Sequence, residues 1–355
     1  MRTRLAAARL QIRRIFKLVE QESMQPCFQN PRNRRWVSHL WREWTIDSWR
    51  PIAPPFARPQ PSEWHNDRVT AAWLGHATAL INFFGVTILT DPALFSRIGI
   101  RFPGVTIGPK RLTAPALTVS ELPKIDLILL SHAHFDHFDL RTLQRISRGT
   151  GFQPVNRQSC PPNGRTPPMA NSDHRQDSDA AVVITAPRTS DLLRWTRLRD
   201  VTELRWGERK SVETSAGNID IIAVRVKHWG ARVQRDMYRG YNGYLLEREG
   251  RRVVFAGDTA FTESFAELRS FGRIDLIIMS IGCYNPWIRT HCNPEQAVQM
   301  ANDAGAQFIV PVHHQTFRLS FEPLREPIER FETALRQTPE RIALREIGQT
   351  FVLPM

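Results

Sequence analysis

The chain of 355 residues carries 48 Lys and Arg against 35 Asp and Glu, a net charge of +13, with 41% hydrophobic and 23% charged residues. That is the make-up of a globular protein with ample chain for a core, and it excludes a disordered, collagen-like or disulfide-scaffold class. No run approaches the roughly 18 consecutive apolar residues of a membrane span, and four cysteines without C-x-x-C spacing make neither a disulfide framework nor a thiolate zinc site, which points to a reducing, cytoplasmic compartment.

The positive charge is uneven. Residues 1–50 hold 11 Lys and Arg against 4 Asp and Glu, so +7 of the +13 lies there and the other 305 residues carry +6. Wound as a helix, Leu5, Ala8, Ile12, Ile15, Phe16 and Val19 share one arc, opposite Arg2, Arg9, Arg13, Arg14 and Lys17. Such a segment suits an anionic membrane surface, a face of its own domain, or a transit-type targeting role. Trp36, Trp41, Trp44, Trp49 and Trp64 follow, half of the ten tryptophans, fit either to pack on a core or to sit at a lipid interface. Residues 1–67 therefore read as a basic, Trp-rich extension and 68–355 as the main folded domain.

From Arg68 the pattern becomes one of strands and helices. Val69–Leu74, Ala79–Phe84 and Val86–Thr90 read as strands, with Gly85 as a turn. Ile125–Leu130 is a short apolar run ending in a polar loop, the pattern of a buried strand. Further strands fall at Val182–Thr185, Ile219–Val226, Gly243–Glu247, Arg252–Ala256, Asp275–Ser280 and Gln307–Val312. Helical patterns fall at Leu140–Ile146, Ser190–Thr196, Phe261–Phe271, Pro294–Ala304 and Pro327–Gln337, with Asn293 as a cap before Pro294. Strands in groups with helices between predict sheets covered by helices on their outer faces. Residues 149–180, with five prolines, three glycines and few apolar anchors, read as a disordered insertion.

The sharpest feature follows the buried strand: Ser131-His132-Ala133-His134-Phe135-Asp136-His137. Imidazole and carboxylate are ligands that borderline divalent metals take. In extended chain His132 and His134 project the same way and can reach one metal, while the next turn can aim Asp136 and His137 at a second. His228, Asp258 and the pair His313-His314 each follow a predicted strand, as expected of a site built along one edge of a sheet sandwich. His228 can complete a three-histidine set, and Asp258 can bridge two ions.

This ordered set resembles the metallo-β-lactamase-fold hydrolases. Within them the chain is similar to the branch holding N-acylphosphatidylethanolamine-hydrolysing phospholipase D and ascorbate-6-phosphate lactonase-like proteins. The matching stretches include Trp73-Leu74-Gly75-His76-Ala77-Thr78, Thr90-Asp91-Pro92, Gly108-Pro109-Lys110-Arg111, Lys227-His228-Trp229, Phe255-Ala256-Gly257-Asp258-Thr259 and His291-Cys292-Asn293-Pro294-Glu295. The resemblance implies an α/β fold, an αββα sandwich of two β-sheets with the metal site at one edge. It implies two zinc ions, with iron or manganese as the alternatives: His132, His134 and His228 on one; Asp136, His137 and His313 on the other; Asp258 bridging. His313 rather than His314 takes the ligand place because Thr316-Phe317 set the family's register, and His314 then lies behind it. Asp91 is implied as a buried carboxylate that orients a ligand. His76, His291, Lys110, Arg111, Tyr284 and His314 are implied near substrate, His291 with protonation of the leaving group as a role. The chain departs from the pattern in its short segment between Tyr284 and His291, which rims the cleft in the family, and in the 149–180 insertion.

The resulting expectation is a binuclear hydrolase with Asp136, Asp258 and His291 at its chemical centre. Its substrate would be a phosphodiester, foremost an N-acylphosphatidylethanolamine-like phospholipid, met at an anionic membrane surface through residues 1–50. A lactonase acting on a phosphorylated or acyl lactone is the alternative. Nucleic acid is disfavoured because the excess charge is N-terminal and no RNA-binding module is present, and the complete ligand set argues against a non-catalytic scaffold.

Overall fold

A computed structural model describes residues 49–102, 104–149 and 181–355. The amphipathic N-terminal segment, Trp36, Trp41, Trp44 and all but the first residue of the 149–180 stretch lie outside the described residues. The elements in order are β1 (Val69–Gly75), β2 (Thr78–Phe83), β3 (Val86–Thr90), β4 (Ile100–Phe102), β5 (Val105–Ile107), β6 (Leu127–Leu130), α1 (Leu140–Ile146), β7 (Val182–Thr185) and β8 (Val201–Glu203). They continue with β9 (Arg209–Thr214), β10 (Gly217–Val224), β11 (Gly243–Arg248), β12 (Arg251–Phe255), β13 (Ile274–Ser280), α2 (Pro294–Asp303), β14 (Ala306–Val312), α3 (Glu326–Ala334) and β15 (Thr350–Val352).

Two mixed sheets form the body. One has the order β15-β1-β2-β3-β6-β7-β8, the other β14-β13-β12-β11-β10-β9, and β4-β5 is a separate hairpin. Strands of the second sheet alternate between two cores. Tyr244, Leu246, Val253, Phe255, Leu276, Ile278, Val310 and Val312 join the apolar cluster shared with the first sheet. Leu245, Val254, Ile277, Met279 and Ile309 face the opposite way, onto Phe265, Met300, Ala301, Ile328 and Phe331 of the covering helices. Burial on both faces is why these strands read as continuous apolar runs rather than as an alternation. Helices α2 and α3 thus cover the second sheet, while α1 packs Leu143 and Ile146 into the cluster of the first. This is the expected αββα layering.

The differences from the sequence reading have local causes. Segments 190–195 and 263–271 are 3-10 rather than α-helical. Phe265 and Leu268, the buried pair of the second, are three residues apart, which a three-residue turn brings onto one side. The unpredicted β9 is an edge strand, Arg-Lys-Ser-Val-Glu-Thr, with Val212 alone buried, so it has no apolar run to betray it. Residues 49–67 are strapped to the domain: Ala53 N–H donates to Leu112 O at 2.9 Å and Ala57 N–H to Ile347 O at 3.2 Å, while Trp64 packs on the main core. Among the described residues, no helix is long and apolar enough to cross a membrane.

Candidate metal centre

Strand direction gathers the site. β1 and β3 run parallel to one another through the antiparallel β2, and β6 runs parallel to β3. In the other sheet β10, β12, β13 and β14 share one direction. Residues just past these strands meet at one edge: His76 after β1, Asp91 after β3, His132–His137 after β6, His228 after β10, Asp258 after β12 and His313 after β14. His76, Asp91 and His313, with Cys283 and Gln315 beside them, have positive φ. Non-glycine residues hold that conformation when surrounding structure compels it, commonly at functional sites.

Two groups of donor atoms emerge. His132 Nε2 lies 2.7 Å from His134 Nδ1, and His228 Nε2 lies 3.3 Å from that same atom. Opposite them, His137 Nε2 and His313 Nε2 are 3.1 Å apart, and Asp136 Oδ2 lies 3.5 and 3.4 Å from them. Asp258 Oδ2 sits between the groups, 3.0 Å from His137 Nε2, 3.2 Å from His313 Nε2 and 4.0 Å from His228 Nε2. His132, His134 and His228, and separately His76, Asp136, His137 and His313, could each hold a metal ion.

His132, His137, His228 and Asp258 are fixed from behind, whereas His134 Nε2 and His313 Nδ1 are buried without a hydrogen-bond partner. Asp91 accepts from Ser131 N–H at 2.7 Å and from His137 Nδ1–H at 2.6 Å. Ser131 Oγ donates to Asp91 and lies 2.8 Å from His132 Nδ1, which it can satisfy as acceptor. His228 Nδ1–H donates to Thr290 O at 2.7 Å. Ser280 Oγ donates to the other oxygen of Asp258 at 2.8 Å. Occupying one ring nitrogen leaves the lone pair of the other to point inward, the arrangement that metal-binding histidines need.

The electrostatics agree with a cation-binding donor set. Burial pushes His134 and His76 down to about 3 and His228 down to about 4, and holds His132 and His291 well below the ordinary histidine range. These imidazoles are neutral and available as donors. Burial alone would raise Asp258 and Asp136, but His137 and His313 hold both carboxyls well below the usual range. Burial raises Asp91, against the opposing pull of His137 and Ser131. Asp258 and Asp136 in turn hold His137 and His313 well above the ordinary histidine range against the pull of burial, so here protons on those two rings are the positive charge the carboxylates require. Divalent ions can supply that charge in place of the protons, so the residues fit the group.

The remaining candidates separate. His291 reaches the centre, with Nδ1 3.7 Å from Asp258 Oδ2 and no hydrogen-bond partner. His76 also reaches it, its Nε2 2.8 Å from Asp136 Oδ2. His314 turns away and packs its ring against Trp73 at 4.5 Å. The expectation that Lys110 and Arg111 face substrate is corrected. Arg111 is fully buried and donates to the carbonyls of Phe95, Ala93 and Thr113; burial pulls it down to about 9. Lys110 Nζ donates to Arg50 O. Both tie loops together. Tyr284 likewise spends its hydroxyl on Glu326 of α3, at 2.6 Å. Three contributors escaped the sequence reading. Ser131 and Ser280 each stand as the polar residue at the end of an apolar strand, a signal that was legible. Thr290 acts through its carbonyl, which has no side-chain signature.

Comparison with known proteins agrees with this geometry. A family model described as a β-lactamase superfamily domain matches residues 87–314. The chain is 30% identical over 310 residues to an uncharacterised protein of Mycobacterium bovis, covering 84% of this chain and 73% of that one. It is 30% identical over 253 residues to N-acyl-phosphatidylethanolamine-hydrolyzing phospholipase D 1 of Caenorhabditis elegans, covering 70% of this chain and 64% of the worm protein. Among solved structures, Igni18, a metallo hydrolase from Ignicoccus hospitalis, shares the fold with a TM-score of 0.55 at 18% identity, over 81% of this chain and 99% of that one. The chain belongs to the β-lactamase superfamily and has the metallo-β-lactamase fold.

Proposed function

We propose that the protein is a binuclear, zinc-dependent phosphodiesterase of the phospholipase D type, acting on N-acylphosphatidylethanolamine-like phospholipids. His132, His134 and His228 would hold one ion, Asp136, His137 and His313 the other, with Asp258 shared. The observation that carries the reading is the place of Asp258 Oδ2, within 3.0–4.0 Å of ring nitrogens from both histidine groups. The substrate class rests on the 30% identity to the worm phospholipase. Two ions bound there supply ionised water at neutral pH and positive charge facing the phosphoryl oxygens.

The chain's own residues do the rest. Ser280 holds the outer oxygen of Asp258 so that the inner one faces both groups. His76 Nε2–H restrains Asp136. Attack of water at phosphorus forms one P–O bond and breaks the bond to the headgroup oxygen, which leaves as an alcohol with the proton the water gives up; His291 Nδ1, buried and unpartnered beside Asp258, is the group placed to relay that proton. No serine or cysteine nucleophile is needed.

The test combines metal content with a substrate panel. The purified chain should carry close to two metals, and Asp258→Ala should lower the metal content and abolish hydrolysis. Four substrates, each with and without chelator, address specificity: a chromogenic phosphodiester, an N-acylated phosphatidylethanolamine, an ascorbate-type lactone and single-stranded RNA. Release of an N-acylethanolamine, stopped by chelator, is expected. Full activity of Asp258→Ala would overturn the shared site, and turnover of the lactone or RNA alone would overturn the substrate class.

A further inference from the structure

The loop between β10 and β11 begins at His228 and returns at Tyr241, which forms a β-bridge with His132, so both ends are tied to the metal centre. Its middle is held firmly. Arg232 donates to Ala133 O at 3.0 Å and Phe138 O at 2.8 Å, and lies over the Phe135 ring. The buried Arg239 binds Asp236 at 2.6 Å, Asp191 and the Arg188 carbonyl. Gly230 admits no side chain, since a Cβ would stand 2.2 Å from Arg239 O.

Within this rigid frame the apolar residues point outward. Val233, Met237 and Tyr238 are 51%, 60% and 55% exposed, with Trp229 at 40% beside them in sequence. Their exposure cannot be relieved by folding inward, because the loop's polar contacts fix its shape. Exposed apolar side chains grouped on one loop mark a contact surface rather than ordinary scatter. The neighbouring charge is basic. Arg188 lies over Tyr238 and Arg225 over Trp206, and Trp206 and Arg205 line a hollow with Pro187 and Tyr241. The guanidinium groups of Arg188, Arg205 and Arg225 have no carboxylate partner among the described residues; of the nearby carboxylates, Asp191 and Asp236 are bound by Arg239, while Glu203 and Glu208 accept from the backbone N–H groups of Arg188 and Arg205. Aromatic rings paired with arginine, next to protruding aliphatic side chains, match the depth profile of an anionic bilayer surface: headgroup phosphates outside, acyl chains within. Nucleic acid would use the arginines and rings but leave Val233 and Met237 without a role.

We infer that the His228–Tyr241 loop is the surface by which this domain docks on an anionic lipid bilayer, inserting Val233, Met237 and Tyr238 and setting the metal centre at the membrane. The choice of a bilayer as occupant rests on the phospholipid reading above, and the following experiment separates the two. The full-length protein is floated with phosphatidylcholine vesicles with and without about 30% phosphatidylserine, free of any N-acylated lipid, so that binding is read without turnover. Wild type should bind the anionic vesicles. The combined variant Val233→Ser, Met237→Ser, Tyr238→Ser should bind at least about tenfold more weakly. It should hydrolyse a soluble chromogenic phosphodiester at the wild-type rate and vesicle-borne substrate more slowly. Arg205→Glu with Arg225→Glu should remove the preference for phosphatidylserine. Equal vesicle binding by wild type and the serine variant would overturn the inference. So would absent vesicle binding by wild type, or loss in the serine variant of RNA binding or self-association instead. Failure of the phospholipid reading would appear separately, as binding to these vesicles with no N-acylethanolamine released from vesicles that do carry the N-acylated lipid.

Discussion

Asp91→Asn tests whether the metal centre is oriented from behind. Asp91 is fully buried and binds no metal in the proposed assignment. Its Oδ1 accepts from Ser131 N–H, an interaction that asparagine can keep. Its Oδ2 serves Ser131 Oγ and His137 Nδ1, and the variant places an NH2 donor there. The hydroxyl can rotate to accept from it, but His137 Nδ1–H then faces a donor. His137 must forgo the bond or shift its proton to Nε2, the atom aimed at Asp136, Asp258 and His313. Either way a charge-assisted hydrogen bond is lost, worth about 1.5–3 kcal/mol. Loss of such an orienting partner weakens metal binding by about 10–100-fold, equivalent to about 1.4–2.8 kcal/mol. Zinc titration against a chromophoric chelator should therefore show one weakened site, that of His137, with turnover reduced in proportion. The near-isosteric amide leaves the circular dichroism of the fold unchanged. Two zinc ions bound at wild-type affinity, with hydrolysis within about twofold of wild type, would refute the orienting role.

Two further predictions concern stability. Phe331→Ala empties a fully buried site between α3 and the cluster of Ile328, Leu335 and Ala301, and should cost about 3–5 kcal/mol in urea denaturation while leaving the metal content of the folded protein intact. Gly348 has φ +97°, and a Cβ there would stand 1.7 Å from Ala57 O. Gly348→Ala should thus cost about 2 kcal/mol or more and expose residues 49–67 to limited proteolysis, and an unchanged digestion pattern would count against the strapped arrangement.

Much of this protein was legible from its residues alone because the determining patterns are local. The runs of β6, β12, β13 and β14 are apolar on both faces, so they announce buried strands without any partner being known. The His-x-His-x-Asp-His loop concentrates its donors within six residues. What lay beyond the sequence depends on contacts between distant segments. Lys110 and Arg111 looked like a basic loop free for phosphate, but Arg111 is buried and both side chains donate to the carbonyls of residues 50, 93, 95 and 113 that approach them in the fold. Family register favoured His313 over its neighbour, while the physical reason lies in the backbone: a φ of +66° turns His313 toward Asp258 and leaves His314 against Trp73. The first 50 residues hold +7 of the +13. Only the folded chain brings Arg188, Arg205 and Arg225 from three separate segments beside the apolar loop at the metal centre. Composition records how much charge a chain carries; its packing decides where that charge is presented.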